Sequence, residues 1–143
     1  MALRNRSQKV EMLQGIPMFS YLTKKQLLEV ARHTDEIQLD AGSVLARAGD
    51  MGRELFIIVE GTATVSRNGT TLAQLGRGDW VGEMALLDHK PRSADVVADG
   101  PMSVLVVSGQ EFKPLLESAP DLSLRLLRSM AQRLRDADEA LTD

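Results

Sequence analysis

Apolar and polar positions follow three textures along the chain, with changes near Ile37 and Ser108. In the first stretch, Thr23 followed by Gln26 has capping-box spacing, and Leu27, Leu28, Val30 and Ala31 then supply the apolar face of a short helix ending near His33. A helical turn is expected before it, around Val10 to Leu13. Ile16, Pro17, Met18 and Phe19 make an apolar corner between the two, because Pro17 limits helix continuation. That corner is expected to pack on the central segment.

From Ile37 to Val107 the chain breaks into short β-branched or alternating runs parted by turn residues: Asp40-Ala41-Gly42, Gly49-Asp50, Asn68-Gly69, Gly76 to Asp79 and Asp99-Gly100-Pro101. Asn68-Gly69 suits a type I′ turn, which needs positive φ at both central residues. A two-residue loop there pairs Arg67 with Thr70, Ser66 with Thr71 and Val65 with Leu72, and places Val65 and Leu72 together on an inward face. Short strands with regular turns predict a mainly β protein with flanking helices. Its antiparallel strands should curl into a β-roll or jelly roll (a double-stranded β-helix), which protects the sheet edges.

Beyond Ser108 the period becomes helical. Ser108 and Glu111 repeat the capping-box spacing before Phe112, Leu115 and Leu116, and Pro120 suits the first turn of a long helix reaching about Leu141. Leu127, Leu134 and Leu141 recur every seven residues with Met130, Ala131 and Ala137 between them, so one stripe is apolar and needs a cover. Two covers stay open: the roll itself, or a second copy of the chain in a short coiled coil, giving a homodimer through the C-terminal helix. The expectation combines both. The chain is read as one domain over 1–143, with helices in 1–36, a roll in 37–107 and helices in 108–143.

Composition narrows the chemistry. A length of 143 residues fits one core, and 43% hydrophobic with 26% charged residues describes a folding chain, not a disordered tail. Cysteine is absent, which removes disulfide scaffolds, thiolate nucleophiles, iron–sulfur clusters and cysteine-rich zinc sites. His33 and His89 are the only imidazoles, and they lack metal-site spacing. No apolar run reaches the roughly 18 to 20 residues of a membrane-spanning helix, and no signal-peptide core precedes Lys9, so a cytoplasmic chain without membrane contact is expected. A net charge of -3 argues against a general nucleic-acid surface. Arg4, Arg6 and Lys9 are read as a solvated start. Arg125, Arg128, Arg133 and Arg135, diluted by Asp136, Asp138 and Glu139, are read as a solvated helix face.

The stretch Gly82-Glu83-Met84-Ala85-Leu86-Leu87, Asp88-His89-Lys90, Pro91-Arg92-Ser93-Ala94 interrupts the strand texture. Glu83, Ala85 and Leu86 favour helix, and a single helical turn set between strands leaves its first N–H groups without intrahelical acceptors, able to hold an anion. Gly82 lets a ligand approach the backbone, Arg92 brings a planar fork of donors to phosphate oxygens, and Ser93 adds a hydroxyl and another N–H. Glu83 beside a phosphate needs another task. A ribose 2′-hydroxyl supplies it, with Glu83 and Arg92 offsetting each other's desolvation. A structural Glu83–Arg92 ion pair without a ligand is the competing reading. Trp80 precedes the stretch on a strand and is read as barrel packing, not a stacking platform; His89 and Lys90 are read as a solvated loop.

The ordered run Gly82-Glu83-Met84-Ala85-Leu86-Leu87 followed by Pro91-Arg92-Ser93-Ala94, inside a β-roll flanked by helices, resembles the phosphate-binding cassette of cyclic nucleotide-binding domains. That family includes the catabolite activator protein, the protein kinase A regulatory subunit and cyclic-nucleotide-gated channels. The resemblance extends from about Leu13 to Leu141 and takes in Gly42, Gly49, Gly61 and Gly78-Asp79 at shared turns. It implies a cassette over 82–94 with a short helix, and a binding run of Gly82, Glu83, Met84 and Ala85. The Glu83 carboxylate would take the 2′-OH, the Ala85 N–H and the Arg92 side chain the cyclic phosphate, and Ser93 would complete the cradle. Val65, Leu72, Ala73 and Val81 would line the sugar and base pocket, while Arg133, Ala137 and Asp138 of the last helix would close over the purine. That helix has no aromatic lid, and Asp138 stands where such domains often carry a small hydroxyl residue; it could accept from an adenine amino group or face water. The implied ligand is cAMP, with cGMP less favoured.

The resemblance implies a sensor, not an enzyme: a cAMP-binding module whose ligand repositions the last helix for an unknown protein effector. The alternative is a transcription regulator of the catabolite activator type, truncated or partner-dependent. Only Thr142 and Asp143 follow Leu141, so direct DNA binding by this chain is not expected. An enzyme on the same roll would need metal ligands or an activated nucleophile, and a haem or redox sensor an axial ligand or cysteine.

Overall fold

The computed structural model describes residues 4–82 and 89–142, the side chains of 137 and 140–142 excepted. Two helices open it, α1 Arg6–Gln14 and α2 Lys24–Arg32, each begun by a complete capping box, Asn5 with Gln8 and Thr23 with Gln26. The Asn5 cap makes α1 longer than the expected turn around Val10 to Leu13. Of the basic start, Arg6 is exposed as expected, but Arg4 and Lys9 are not solvated. Lys9 Nζ donates to Ala31 O at 3.1 Å and Thr34 O at 2.7 Å, and burial lowers its pKa. Arg4 is ion-paired with Glu36 and lies 3.0 Å from a Glu60 carboxylate oxygen. Glu36 is buried and also accepts from the Ser103 hydroxyl at 2.8 Å, and a buried carboxylate needs such partners.

Eight strands follow: β1 Asp35–Leu39, β2 Val44–Ala46, β3 Glu54–Glu60, β4 Ala63–Arg67, β5 Thr70–Leu75, β6 Trp80–Val81, β7 Asp95–Ala98 and β8 Met102–Ser108. They form two four-stranded sheets, ordered β1-β8-β3-β6 and β2-β7-β4-β5, with antiparallel pairing throughout. The β-roll flanked by helices is therefore the architecture, and each expected turn cluster falls between strands. Strand β3 explains the layering. Its alternate residues serve two cores: Leu55, Ile57 and Val59 pack with the helices, whereas Phe56 and Ile58 pack between the sheets.

The Asn68-Gly69 turn has the expected positive φ, 52° and 80°. The register agrees for Arg67 with Thr70 and Ser66 with Thr71, then shifts, so that Val65 lies opposite Ala73. The expected Val65–Leu72 pair is corrected accordingly. A bulge inserts one residue and turns Leu72 outward, where it is 51% exposed. Near this hairpin the Asp99 carboxylate accepts from Thr64 Oγ1 at 2.5 Å, Gln74 Nε2 at 2.9 Å and Thr62 Oγ1 at 2.8 Å, and these bonds, Thr64's foremost, hold its pKa below the ordinary value. A depressed folded-state pKa contributes stability that is present above the unfolded value and lost as pH falls through the folded one. Urea unfolding at pH 7 and at about pH 3 should therefore show wild type more stable than Asp99→Ala at neutrality, with the gap narrowing in acid. An equal gap at both pH values would contradict this account.

Helix α3, Gly109–Ser118, starts on Ser108, whose side chain accepts from the Glu111 N–H at 3.2 Å; the Glu111 carboxylate instead meets the Nδ1 of His33 at the end of α2. Helix α4, Pro120–Thr142, corrects the stripe assigned to it. Leu122 and Leu126 are buried in the helix-side core with Met130 packed against them, but Leu127 and Leu134 are 62% and 72% exposed. The buried face follows a spacing of four, not seven, so the roll covers one stripe and leaves the heptad stripe on the outside. The Leu141 side chain lies outside the described residues.

Candidate functional site

Between the sheets, toward α4, opens a pocket of about 420 Å³, within the roughly 300 to 1,000 Å³ usual for small-molecule sites. Ala46 of β2, Val65 of β4, Ala73 and Leu75 of β5, Val81 and Val96 give it apolar walls; Gly82, Pro91, Arg92, Ser93 and Ala94 form one end, and Arg133 of α4 reaches it from outside. Trp80 has two environments: its side chain belongs to the helix-side core, with a ring centroid 5.9 Å from that of Phe19, and it also borders the pocket. The packing role expected for it holds, with a lining role added.

Arg92 is the most constrained polar residue of this wall. Its N–H donates to Asp50 O at 2.8 Å and its carbonyl accepts from the Gly49 N–H at 2.8 Å, which ties the strand entry to the β2–β3 connection. The guanidinium Nη2 donates to Glu54 O at 2.7 Å. Two glycines make room for it. Gly82 has φ +95° and a Cβ there would overlap the guanidinium; a Cβ on Gly52 would sit 2.7 Å from its Cζ. The half-buried side chain is thus packed against Gly82 and Gly52 while the residue lines one end of the cavity. Arg67 Nε donates to Ser93 O at 2.8 Å and holds the next residue in place.

The structure brings Val65, Ala73, Val81, Gly82, Arg92, Ser93 and Arg133 together around one cavity. Leu72 is turned out by the bulge, and Asp138 is exposed and stands outside the lining. Glu83, Met84 and Ala85, with the expected short helix, lie outside the described residues, as does the Ala137 side chain. His89 and Lys90 are exposed as expected. Arg133, read as part of a solvated face, is exposed but extends Nη2 to Trp80 O at 3.4 Å. The charged side chains among the described lining residues are Arg92 and Arg133, so this wall offers positive charge and apolar contact to a ligand.

The sequence model of the cyclic nucleotide-binding domain matches residues 36–119. This chain belongs to that family. A cyclic nucleotide-gated potassium channel of Rhizobium etli is 32% identical over 123 residues, 86% of this chain and 34% of the channel. A cAMP-dependent protein kinase regulatory subunit of Aspergillus niger is 32% identical over 87% of this chain and 31% of its own length. Among solved structures, the catabolite activator protein of Thermus thermophilus superposes with a TM-score of 0.79 at 29% identity, covering 88% of this chain and 62% of that one. The chain therefore spans about a third of the length of these curated relatives. In this cyclic nucleotide-binding domain the cavity is also lined by Ala46, Leu75 and Val96, and Gly52 packs against Arg92, beyond the candidate residues legible in the sequence. Gly52 carried a signal: a second glycine just after the Gly49-Asp50 turn marks close backbone approach.

Proposed function

We propose that the chain binds a cyclic nucleoside monophosphate, cAMP before cGMP, in this pocket and reports occupancy through the position of α4. The observation that carries the reading is the Arg92 guanidinium, seated between Gly52 and Gly82 at one end of an apolar cavity. A planar fork with its charge partly out of water suits a singly charged phosphodiester, and the apolar walls suit the sugar and base edges. Glu83 and Ala85, which the family resemblance assigns to the 2′-OH and the phosphate, complete this reading from outside the described residues.

The switch follows from how α4 is held. Its first half is anchored by Leu122 and Leu126, whereas residues 131–136 are exposed and the Arg133 to Trp80 O contact is long at 3.4 Å. A ligand that engages Arg133 differently from that carbonyl changes the equilibrium between helix positions by its differential contact energy. Calorimetric titration with cAMP, cGMP and linear 5′-AMP tests the binding step. The expected result is saturable binding of cAMP, weaker binding of cGMP and weakest of 5′-AMP, whose flexible dianionic phosphate mismatches a site shaped for the ring. Folded protein giving no heat with either cyclic nucleotide would overturn the reading.

A further inference from the structure

A second cleft, of about 400 Å³, lies between the apolar corner, the β5–β6 turn and the first half of α4. Arg77 from the turn and Arg125 and Arg128 from α4 line it, with Pro17, Met18, Tyr21, Gly78 and Asp79. Tyr21 is 75% exposed, and Arg125 Cζ stands 4.0 Å from its ring centroid, which fixes that guanidinium at the cleft. Arg77 is pressed against Gly15, where an added Cβ would lie 2.9 Å from its Nη2.

None of the three arginines is ion-paired among the described residues. Asp79, the cleft's one carboxylate, accepts from the Gly76 N–H at 2.8 Å and so closes its own turn. Arg125 and Arg128 are three apart on one helix, a like-charge spacing that disfavours the helix slightly. An acidic chain of net charge -3 therefore concentrates positive charge here at some expense to itself, which is the pattern of a surface complementary to an anion.

We propose that this cleft is a docking site for an acidic peptide segment of a partner protein, one in which carboxylates alternate with apolar side chains. The guanidinium forks take the carboxylates, and Pro17, Met18 and the Tyr21 ring take the apolar positions. The apolar floor favours such a peptide over a nucleic acid, whose denser charge the net -3 of the chain repels more strongly. Arg125 sits in the anchored first half of α4, but Arg128 lies just past Leu126, toward the half that carries Arg133 at the nucleotide pocket, so nucleotide-driven movement of that second half bears on the spacing of Arg128 to Arg77. That linkage rests on the proposed nucleotide reading; the docking itself does not.

Fluorescence anisotropy of a labelled peptide of alternating glutamate and leucine, against its glutamine-for-glutamate counterpart, tests the docking on nucleotide-free protein at low salt. The glutamate peptide should bind, the glutamine peptide should not, and the double variant Arg125→Gln, Arg128→Gln should weaken binding roughly tenfold. Equal binding of both peptides, an unaltered affinity in the double variant, or tighter binding of a single-stranded oligonucleotide than of the peptide would each overturn the proposal. Repeating the titration with saturating cAMP should shift peptide affinity by about threefold or more, and by reciprocity cAMP affinity by the same factor. Unchanged affinity in protein that calorimetry shows to bind cAMP would overturn the linkage alone, whereas absence of cAMP binding would count against the nucleotide reading and not the docking.

Discussion

Arg92→Ala is expected to weaken cAMP binding by roughly ten- to more than a hundredfold, because a charge-assisted contact in a partly desolvated site contributes about 1.5 to 3 kcal/mol. Two features place the value toward the upper end. The guanidinium is half-buried and hemmed by Gly52 and Gly82, so water has poor access to replace it, and the Glu54 carbonyl already orients its fork. Arg133 carries the same charge at the same cavity but is exposed, and Arg133→Ala should lose only a few-fold, in the range of about 0.2 to 1 kcal/mol for solvated pairs. Arg92→Lys separates charge from geometry. It keeps the cation and loses the planar fork, and should fall between wild type and Arg92→Ala. Because Arg92 also bonds Glu54 O, thermal melting of each variant must accompany the calorimetry. An unchanged dissociation constant in a folded Arg92→Ala protein would remove the phosphate assignment.

The same residue shows how far the sequence could be read. Arg92, Ser93, Gly82 and the turns are local signals, legible within a few residues; the structure sets the turns between strands and gathers Arg92, Ser93 and Gly82 at one cavity. What failed to show depends on through-space neighbours. Leu72 looked inward because a two-residue turn fixes register only until a bulge resets it, and nothing around Leu72 announces a bulge. Two apolar periods coexist in α4, Leu122-Leu126-Met130 and Leu127-Leu134, and only the position of the β-sheet decides which is buried. Arg4 was legible as a charge but not as the partner of Glu36, whose burial is a property of the assembled β1–β8 pair. Local chemistry was visible; the choice among equivalent faces was not.

Trp80→Ala should destabilise the fold by about 3 to 5 kcal/mol, the range for truncating a large buried aromatic, against total stabilities of roughly 5 to 15 kcal/mol. Trp80 is 1% exposed, packs against Phe19 with rings inclined at 36°, and belongs to the core joining β6 to the helices. Its removal opens a void that Phe19, itself buried, cannot easily collapse into. Trp80→Phe is the informative companion. The indole Nε1 is buried without a hydrogen-bond partner among the described residues, so phenylalanine gives up contact area but also removes an unsatisfied donor. The two effects oppose each other, and the net change should stay within about 1.5 kcal/mol. Since Trp80 is the only tryptophan, unfolding is best followed by circular dichroism. A Trp80→Ala loss below about 1 kcal/mol would place the residue outside the core, and a phenylalanine variant as unstable as the alanine one would mean that the indole N–H has a partner it cannot do without.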